Sequence, residues 1–402
     1  MALKIIYPEN VIKIASLLRE NGFEAYAVGG CIRDALMGRE PADWDLTTNA
    51  TPYEMIEIFS RSDIKTIPTG LKHGTVTLLI GNNSYECTTY RIDGEYNDSR
   101  HPENVTFTRN IGNDLSRRDF TINALAGNPL SSENQIVDLF SGMSDIENKI
   151  VRCVGDPQKR FSEDALRILR AVRFSTVLGF ELDCDTERAA EELGERLEYV
   201  SAERKSIELE KILLSDNADC GIELLLKLKL AKYIHPDIHK PQIPLSSLEA
   251  SFAVRLASLF IGDSSPKLSC MKLSNAVSSR VALLCDNRLY ELCKSQFRGN
   301  DAALCRLLLS KFGDDACSAA LLRQDGHLCE QIRLEAQKNP CVSINDLAIN
   351  GKDLLNIGIE PIKISKINSA LLLAVIEAPS LNTPEKLTYM AKSISKSISQ
   401  KG

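Results

Sequence analysis

No stretch of these 402 residues stays apolar for long. The longest runs, such as "SALLLAVIEA", fall well short of the roughly 20 residues a membrane span needs. The opening "MALKIIYPENVIKIASLL" lacks the uninterrupted apolar centre of a secretory leader. No membrane partner is expected, and the chain reads as cytoplasmic. Proline is scarce at 15 residues, and a balance of 44% hydrophobic to 25% charged residues excludes a disordered chain. The 12 cysteines include no C-x-x-C pair, so the usual zinc and redox spacings are missing and reduced core thiols are expected. His235 and His239 are spaced for a metal on a helix, but Pro236 between them argues for a loop or helix end. An excess of positive charge is also lacking. With a net charge of −6, any nucleic-acid partner must be met by a local basic surface.

The length calls for roughly two to four domains. Helix and strand signals mix in the first part. "NVIKIASLLREN" has helical spacing and stops at Gly22; "EAYAV" reads as a strand; Gly29-Gly30 turns it into a short helix, "CIRDALMG". "TVTLLI", "YECTTYRI" and "ENVTFT" read as further strands. Beyond about Val154 long helical patterns take over, as in "SEDALRILRAVRFSTVLG", "SAERKSIELEKILLS" and "DAALCRLLLSKFG". The expected class is α+β: an α/β head with a small mixed sheet, then an all-helical remainder.

Four constellations carry chemistry. In "ADWDL", read as a strand, Asp43 and Asp45 share a face and can grip divalent cations. Mg²⁺ favours one or two carboxylates plus substrate phosphates, and two ions about 4 Å apart serve in-line phosphoryl transfer. Glu86 is the candidate third acid, because Tyr85 and Cys87 point the other way. Second, Gly29 and Gly30 expose backbone N–H groups where a triphosphate can lie, with Arg33 in reach. A plain tight turn would also use such glycines. Third, in "SRRDFTINALA", read as running into a helix, Arg118 can fork onto phosphate or sugar oxygens and Asp119 can accept from a ribose hydroxyl; helix capping is the alternative. Fourth, on a helix read through "RFSEDALRILRAVRF", Asp164, Arg167, Arg170 and Arg173 lie opposite the apolar Ala165, Leu166, Ile168, Leu169 and Val172. They form either a solvated charged face or a base-reading edge. A carboxylate accepting from an exocyclic amino group beside a donating arginine suits cytosine and adenine over uracil and guanine.

The ordered set "GGCIRD…DWD", "RRDFTINALA", "VDLFSGMSDIENKIVRCVGDPQKRFSEDALRILRAVRF" and "SAERKSIELEKIL" resembles the class II tRNA nucleotidyltransferases. These are the CCA-adding enzymes and their poly(A) polymerase relatives, and the likeness runs from about Tyr26 to Leu214. It implies a head (1–140), neck (141–205), body (206–320) and tail (321–402). It implies a metal-binding pair in Asp43 and Asp45, triphosphate contacts in Gly30 and Arg33, and nucleotide and ribose contacts in Arg118 and Asp119. Asp164 and Arg167 match the base-templating pair, with Arg170 and Arg173 on the same nucleotide-facing helix. "SGMSD" matches a hinge-like motif, and Glu203, Arg204 and Glu208 a supporting helix. The implied activity is template-independent addition of CCA to the acceptor end of tRNA from CTP and ATP, with Mg²⁺ as cofactor; a homodimer is left open. A-adding and poly(A) polymerase activities share these motifs. The polar stretch "IDGEYNDSRHPENVTFT" resembles the flexible loop of family members able to add the terminal A, a loop that CC-only enzymes lack. No H…HD pattern marks an added phosphohydrolase. The tail segment "PIKISKI" lacks the glycines that family members often carry there, leaving Lys363 and Lys366 as substitute charges for RNA.

Overall fold

The computed structural model describes residues 5–94, 105–133, 135–262 and 266–399. The middle of the expected loop between Ile92 and Thr108, with Asn97, Asp98 and Ser99, lies outside the described residues. The chain forms two compact units, Met1–Pro236 and Asp237–Gly402, a coarser division than the four parts expected from the sequence.

The first unit opens with α1 (Glu9–Glu20), β1 (Ala25–Val28), α2 (Gly30–Leu36), β2 (Leu46–Thr48) and α3 (Pro52–Ser60). Then come β3 (Lys65–Gly70), β4 (Thr75–Ile80), β5 (Asn83–Thr89), β6 (Arg91–Asp93), β7 (Val105–Phe107) and α4 (Ile111–Ser116). β8 (Leu125–Gly127), β9 (Ile136–Asp138) and α5 (Gly142–Glu147) complete the sheet region. The sheet has seven strands in the order β3-β4-β5-β2-β1-β8-β9. It is mixed, as expected: β2 and β5 run parallel, and the other neighbours antiparallel. Its two faces follow from the two-residue period of a strand. Ala25 and Ala27 of β1 join the large core with α1 and α3, whereas Tyr26 and Val28 join a smaller cluster with Leu115 and Ala126.

Helices follow: α6 (Pro157–Glu163), α7 (Leu166–Leu178), α8 (Cys184–Glu192), α9 (Ala202–Leu213) and α10 (Ala218–Lys227), with a short parallel pair, β10 (Ile150–Val151) and β11 (Glu181–Leu182), among them. The expected apolar face of α7 is buried, and the helix packs against α9 and α10. The second unit runs from α11 (Phe252–Ser258) through α12 (Asn275–Cys285), α13 (Asn287–Gln296), α14 (Asp301–Phe312), α15 (Ala316–Leu321), α16 (Gly326–Ala336), α17 (Gly351–Asn356) and α18 (Pro361–Glu377) to α19 (Pro384–Ser399). It has no strand among the described residues. There, Arg306 pairs with Glu335 and donates to the Ile376 carbonyl at 2.7 Å, tying α14, α16 and α18 together.

Four local readings need correction. β2 begins at Leu46, so Asp43 and Asp45 lie in the extended lead-in to a strand. The segment after Asp119 makes one 3-10 turn (Thr121–Asn123) and enters β8, because the sheet claims the backbone of Leu125–Gly127. "YECTTYRI" breaks at Tyr90 into β5 and β6; the expected strand in "ENVTFT" forms over Val105–Phe107, but it pairs with β6 and not with the main sheet. Finally, the helix read through "RFSEDALRILRAVRF" is broken at Asp164, whose backbone is extended (φ −139°, ψ 104°). "PIKISKI" lies inside α18, where glycine would weaken the helix. His235 and His239 lie in irregular chain, and none of the cysteines forms a disulfide. No described helix is long and apolar enough to cross a membrane.

Candidate active site

The site lies on the sheet face that carries the smaller cluster, where β1 ends and β2 begins. Gly29 leaves β1 with φ +83°, a conformation that only glycine adopts without strain. A side chain there would also meet Arg118 Nη1 at 3.0 Å and the Asn123 carbonyl at 3.7 Å. Gly30 then starts α2. Across the turn, the Val28 N–H donates to the Asp45 carbonyl at 2.9 Å, which extends the β1–β2 ladder one step past the strand and sets Asp45 beside the glycines.

The register explains why Glu86 belongs here. Leu46 pairs with Cys87 in the parallel β2–β5 ladder, so Asp45 and Glu86 stand one step earlier on the two strands. Leu46, Tyr85 and Cys87 point into the large core, so Asp45 and Glu86 take the opposite face. Crowding by protein atoms raises the Asp45 carboxyl above its ordinary value, and the Glu86 charge adds to this. Arg118 opposes the rise, and Asp43 reinforces it. Among the described residues, no basic side chain forms an ion pair with Asp43, Asp45 or Glu86. Between the two aspartates, Trp44 turns inward and packs its ring 5.5 Å from that of Tyr7.

These three acids fit a hard divalent cation. They offer only carboxylate oxygens, the charges of Glu86 and Asp43 bear on Asp45, and the one described cation that acts on Asp45, Arg118, forms no ion pair with it. No three His, Cys, Asp or Glu side chains among the described residues stand close enough to hold a metal by themselves. Such an arrangement suits Mg²⁺, which takes one or two carboxylates and completes its shell with phosphate and water.

The basic side chains are held by carboxylates. Asp114 is fully buried in α4; burial would raise its carboxyl, but Arg117 and Arg118 hold it below its ordinary value. Arg117 donates to Asp114 Oδ1 at 2.8 and 2.9 Å, and Arg118 to Oδ2 at 3.3 Å. Arg118 thus shares its carboxylate, and its Nε is buried without a partner, so it retains positive charge toward Asp45. Arg33 is only 8% exposed. It donates to Asp34 Oδ1 at 2.9 Å and to Asn123 Oδ1 at 2.6 Å. Asp119 is buried with both oxygens engaged. Oδ1 accepts from the Phe120 N–H at 2.8 Å and Asn123 Nδ2 at 3.1 Å, and Oδ2 from Arg170 Nε at 2.8 Å. Burial would raise this carboxyl, but Arg170 and Asn123 hold it down to about 2.

Asp164 sits just before α7. Its Oδ1 accepts from the Leu166 N–H at 3.0 Å, and its Oδ2 from Arg204 of α9 at 2.9 Å. Arg167 pairs instead with Glu163 at 2.8 Å and donates to the Arg117 carbonyl at 3.3 Å. Asp164 and Arg167 are therefore neighbours held by different partners. Arg173 pairs with Glu208 of α9; burial lowers its guanidinium while Glu208 raises it, leaving a net lowering. Arg33, Arg170 and Arg173 surround the Phe174 ring at 5.2, 5.3 and 3.9 Å.

The structure brings Gly29, Asp45, Glu86 and Arg118 together around the turn, with Asp43 near enough to act on Asp45. It groups Arg33, Asp119, Arg170 and Arg173 around Phe174, and places Asp164 and Arg167 together at the start of α7. Reading the sequence missed Asp114, Asn123 and Phe174. A polar residue inside the apolar run "FTINALA" was the available sign for Asn123. The other two carry none, because a charged residue in a short helix and an aromatic in an apolar helix are ordinary.

Residues 25–152 match the "Poly A polymerase head domain", and residues 179–240 the "Probable RNA and SrmB- binding site of polymerase A". A CCA-adding enzyme of Lactobacillus helveticus is 38% identical over 370 residues, covering 87% of each chain. One of Limosilactobacillus fermentum is 35% identical over 396 residues, covering 94% of this chain and 95% of the relative. The crystal structure of the Bacillus stearothermophilus CCA-adding enzyme in complex with CTP superposes with a TM-score of 0.78 at 29% identity, over 99% of this chain and 100% of that one.

Proposed function

The chain belongs to the CCA-adding enzymes, tRNA nucleotidyltransferases with the poly(A) polymerase head, and from that premise we propose how its first unit performs the reaction. The activity is addition of CCA to the 3′ end of tRNA from CTP and ATP. The 3′-hydroxyl of the tRNA attacks the α-phosphorus of the nucleotide, a new phosphodiester forms, and pyrophosphate leaves. Asp43 and Asp45, with Glu86 as third acid, would hold Mg²⁺. When bound there, Mg²⁺ supplies neutralisation of the triphosphate charge and a lowered pKa for the attacking hydroxyl.

The chain's own residues do the rest. The Gly29–Gly30 backbone lets the triphosphate approach closely, and Arg118 and Arg33 meet its charge. Asp119, expected to accept from the ribose, has both oxygens engaged within the protein and instead orients Arg170 against the nucleotide. Asp164 accepts from the amino group of cytosine or adenine, and Arg167 donates to the adjoining ring position. Arg204 and Glu208 keep Asp164 and Arg173 in place. In this reading catalysis belongs to the head (1–140), base selection to the neck (141–205) and tRNA contact to the body and tail (206–320 and 321–402). The reaction runs in the cytoplasm, where tRNA, CTP and ATP meet.

The observation that carries this reading is the set of acids without described ion-pair partners beside a bare glycine turn against which the Arg118 and Arg33 guanidinium groups lie. The test offers tRNA ending before, after one and after two cytidines, with CTP and ATP separately. Cytidine should be added to the first two substrates and a single adenosine to the third. Adenosine addition alone would mark an A-adding enzyme, and repeated adenosines on unrelated RNA a poly(A) polymerase. Either result overturns the full CCA assignment.

A further inference from the structure

Arg33 belongs to the head helix that follows the glycine turn, and Arg170 to the helix that follows Asp164. Nothing in the reaction as described explains how these two guanidinium groups keep a fixed relation. The link is Asn123, which sits in the 3-10 turn between them and is only 6% exposed. Its Oδ1 accepts from Arg33 at 2.6 Å, and its Nδ2 donates to Asp119 Oδ1 at 3.1 Å. Asp119 Oδ2 then accepts from Arg170 Nε at 2.8 Å. This orientation of the amide is the only one chemistry allows: an arginine can only donate, and an ionised carboxylate can only accept.

The turn that carries Asn123 is itself held. A side chain on Gly142 would come within 2.3 Å of the Thr121 carbonyl, so the bare glycine lets α5 seat directly on the turn. The carbonyl of Asn123 also borders Gly29. Backbone and side chain of one residue therefore frame the triphosphate turn and the network behind it. Without the amide, Arg33 keeps one acid partner, Asp34 on its own short helix, at 2.8 Å. Arg33 and Arg170 both lie against the Phe174 ring, at 5.2 and 5.3 Å from its centre, and no direct bond between an acid and both of them is described.

We propose that Asn123 is a positioning residue for nucleotidyl transfer, locking the triphosphate-facing Arg33 to the nucleotide-facing Asp119–Arg170 pair so that both meet the incoming nucleotide in one register. The proposal rests on the reading above that Arg33 meets the triphosphate. Asn123 touches no reacting atom; it acts through Arg33 and Asp119.

The test is steady-state kinetics with CTP, on tRNA ending before CCA, for the wild type and for Asn123→Ala, Asn123→Asp, Arg33→Ala and the Arg33→Ala/Asn123→Ala double variant. Active-enzyme titration corrects for misfolded protein. Losing a hydrogen bond to a charged group should raise the KM for CTP about 10- to 100-fold in Asn123→Ala. The kcat and the KM for tRNA should stay within about twofold. Arg33→Ala should raise the CTP KM comparably, and the double variant should be no worse than Arg33→Ala, because the two residues form one network. Asn123→Asp keeps the acceptor for Arg33 but sets a second carboxylate against Asp119 Oδ1, where Asn123 Nδ2 donates at 3.1 Å, so the link stays broken and the CTP KM should stay raised; it carries the test if the alanine variant does not fold, and a normal CTP KM in it also overturns the proposal. A normal CTP KM in Asn123→Ala with a raised one in Arg33→Ala overturns this proposal alone. A normal CTP KM in Arg33→Ala overturns the reading of Arg33 and the proposal with it.

Discussion

Replacing Asp119 by asparagine isolates the buried charge pair behind the nucleotide site. The substitution keeps the shape and an acceptor for Arg170 but removes the charge that faces it. Breaking a buried ion pair from one side costs about 3–5 kcal/mol. The Arg170 side chain is 33% exposed against 9% for Asp119, so water recovers part of its solvation and about 2–3 kcal/mol is expected at pH 7. The pH dependence follows from the same carboxyl. Its pKa falls from 3.8 to about 2 on folding, which corresponds to about 2 kcal/mol of stability. Because the folded value is the lower one, that contribution is complete above about pH 5 and is lost as pH falls toward 2, with roughly half gone by pH 3. Urea melts at pH 7, 5, 4 and 3 should therefore show the gap between wild type and Asp119→Asn narrowing only in the two most acidic conditions. Emission of Trp44, the single tryptophan, reports the first unit directly. A gap as wide at pH 3 as at pH 7, or a variant as stable as the wild type at pH 7, would refute the claim that Asp119 is held ionised by Arg170.

Four further outcomes are expected. Asp45→Asn should lower turnover on the order of 10³-fold or more, since it removes several kcal/mol of charge stabilisation, yet stabilise the Mg²⁺-free protein. The raised pKa of Asp45 means that ionising it weakens the fold as pH rises above 3.8, so urea melts at pH 7 should favour the amide; a less stable variant would contradict this. Arg204→Ala should reduce the kcat/KM preference for CTP over UTP by about tenfold, as Asp164 loses a charge-assisted bond, with Arg204→Lys intermediate; unchanged preference would show that Asp164 needs no support from α9. Gly29→Ala should cost about 1–2 kcal/mol from the left-handed backbone and raise the CTP KM by crowding Arg118, measured by thermal melts and initial rates. Chelating Mg²⁺ should stop incorporation, and returning it to CTP-bound enzyme should shift Trp44 emission, since Trp44 separates the two acids. The shift should vanish in Asp45→Asn.

Much of the site was legible because its chemistry is concentrated in short segments. "GGCIRD", "DWD" and "RRD" each place charged groups or glycines at spacings that only a few backbone shapes use, and Glu86 follows from strand alternation. The α+β class was legible for the same reason, since hydrophobic period and turn residues are local properties. The second unit gave less away; its helices are plain in the sequence, but their partners, such as Arg306 reaching the end of α18, are far apart along the chain.

By itself, the sequence determined which residues carry charge, where the backbone can turn, and that a mixed sheet precedes helices. All of these are set within a few residues. The tertiary structure alone decided which acid meets which base. Asp119 belongs to Arg170 and Asp164 to Arg204 because the low dielectric of a packed interface makes an unpaired charge costly, and only the packing of α7 against α9 and the head brings those partners within reach. It decided as well that Asp43 and Asp45 precede their strand and that a helix breaks at Asp164. In both places the backbone gives up regular structure to aim a carboxylate, which no local propensity records.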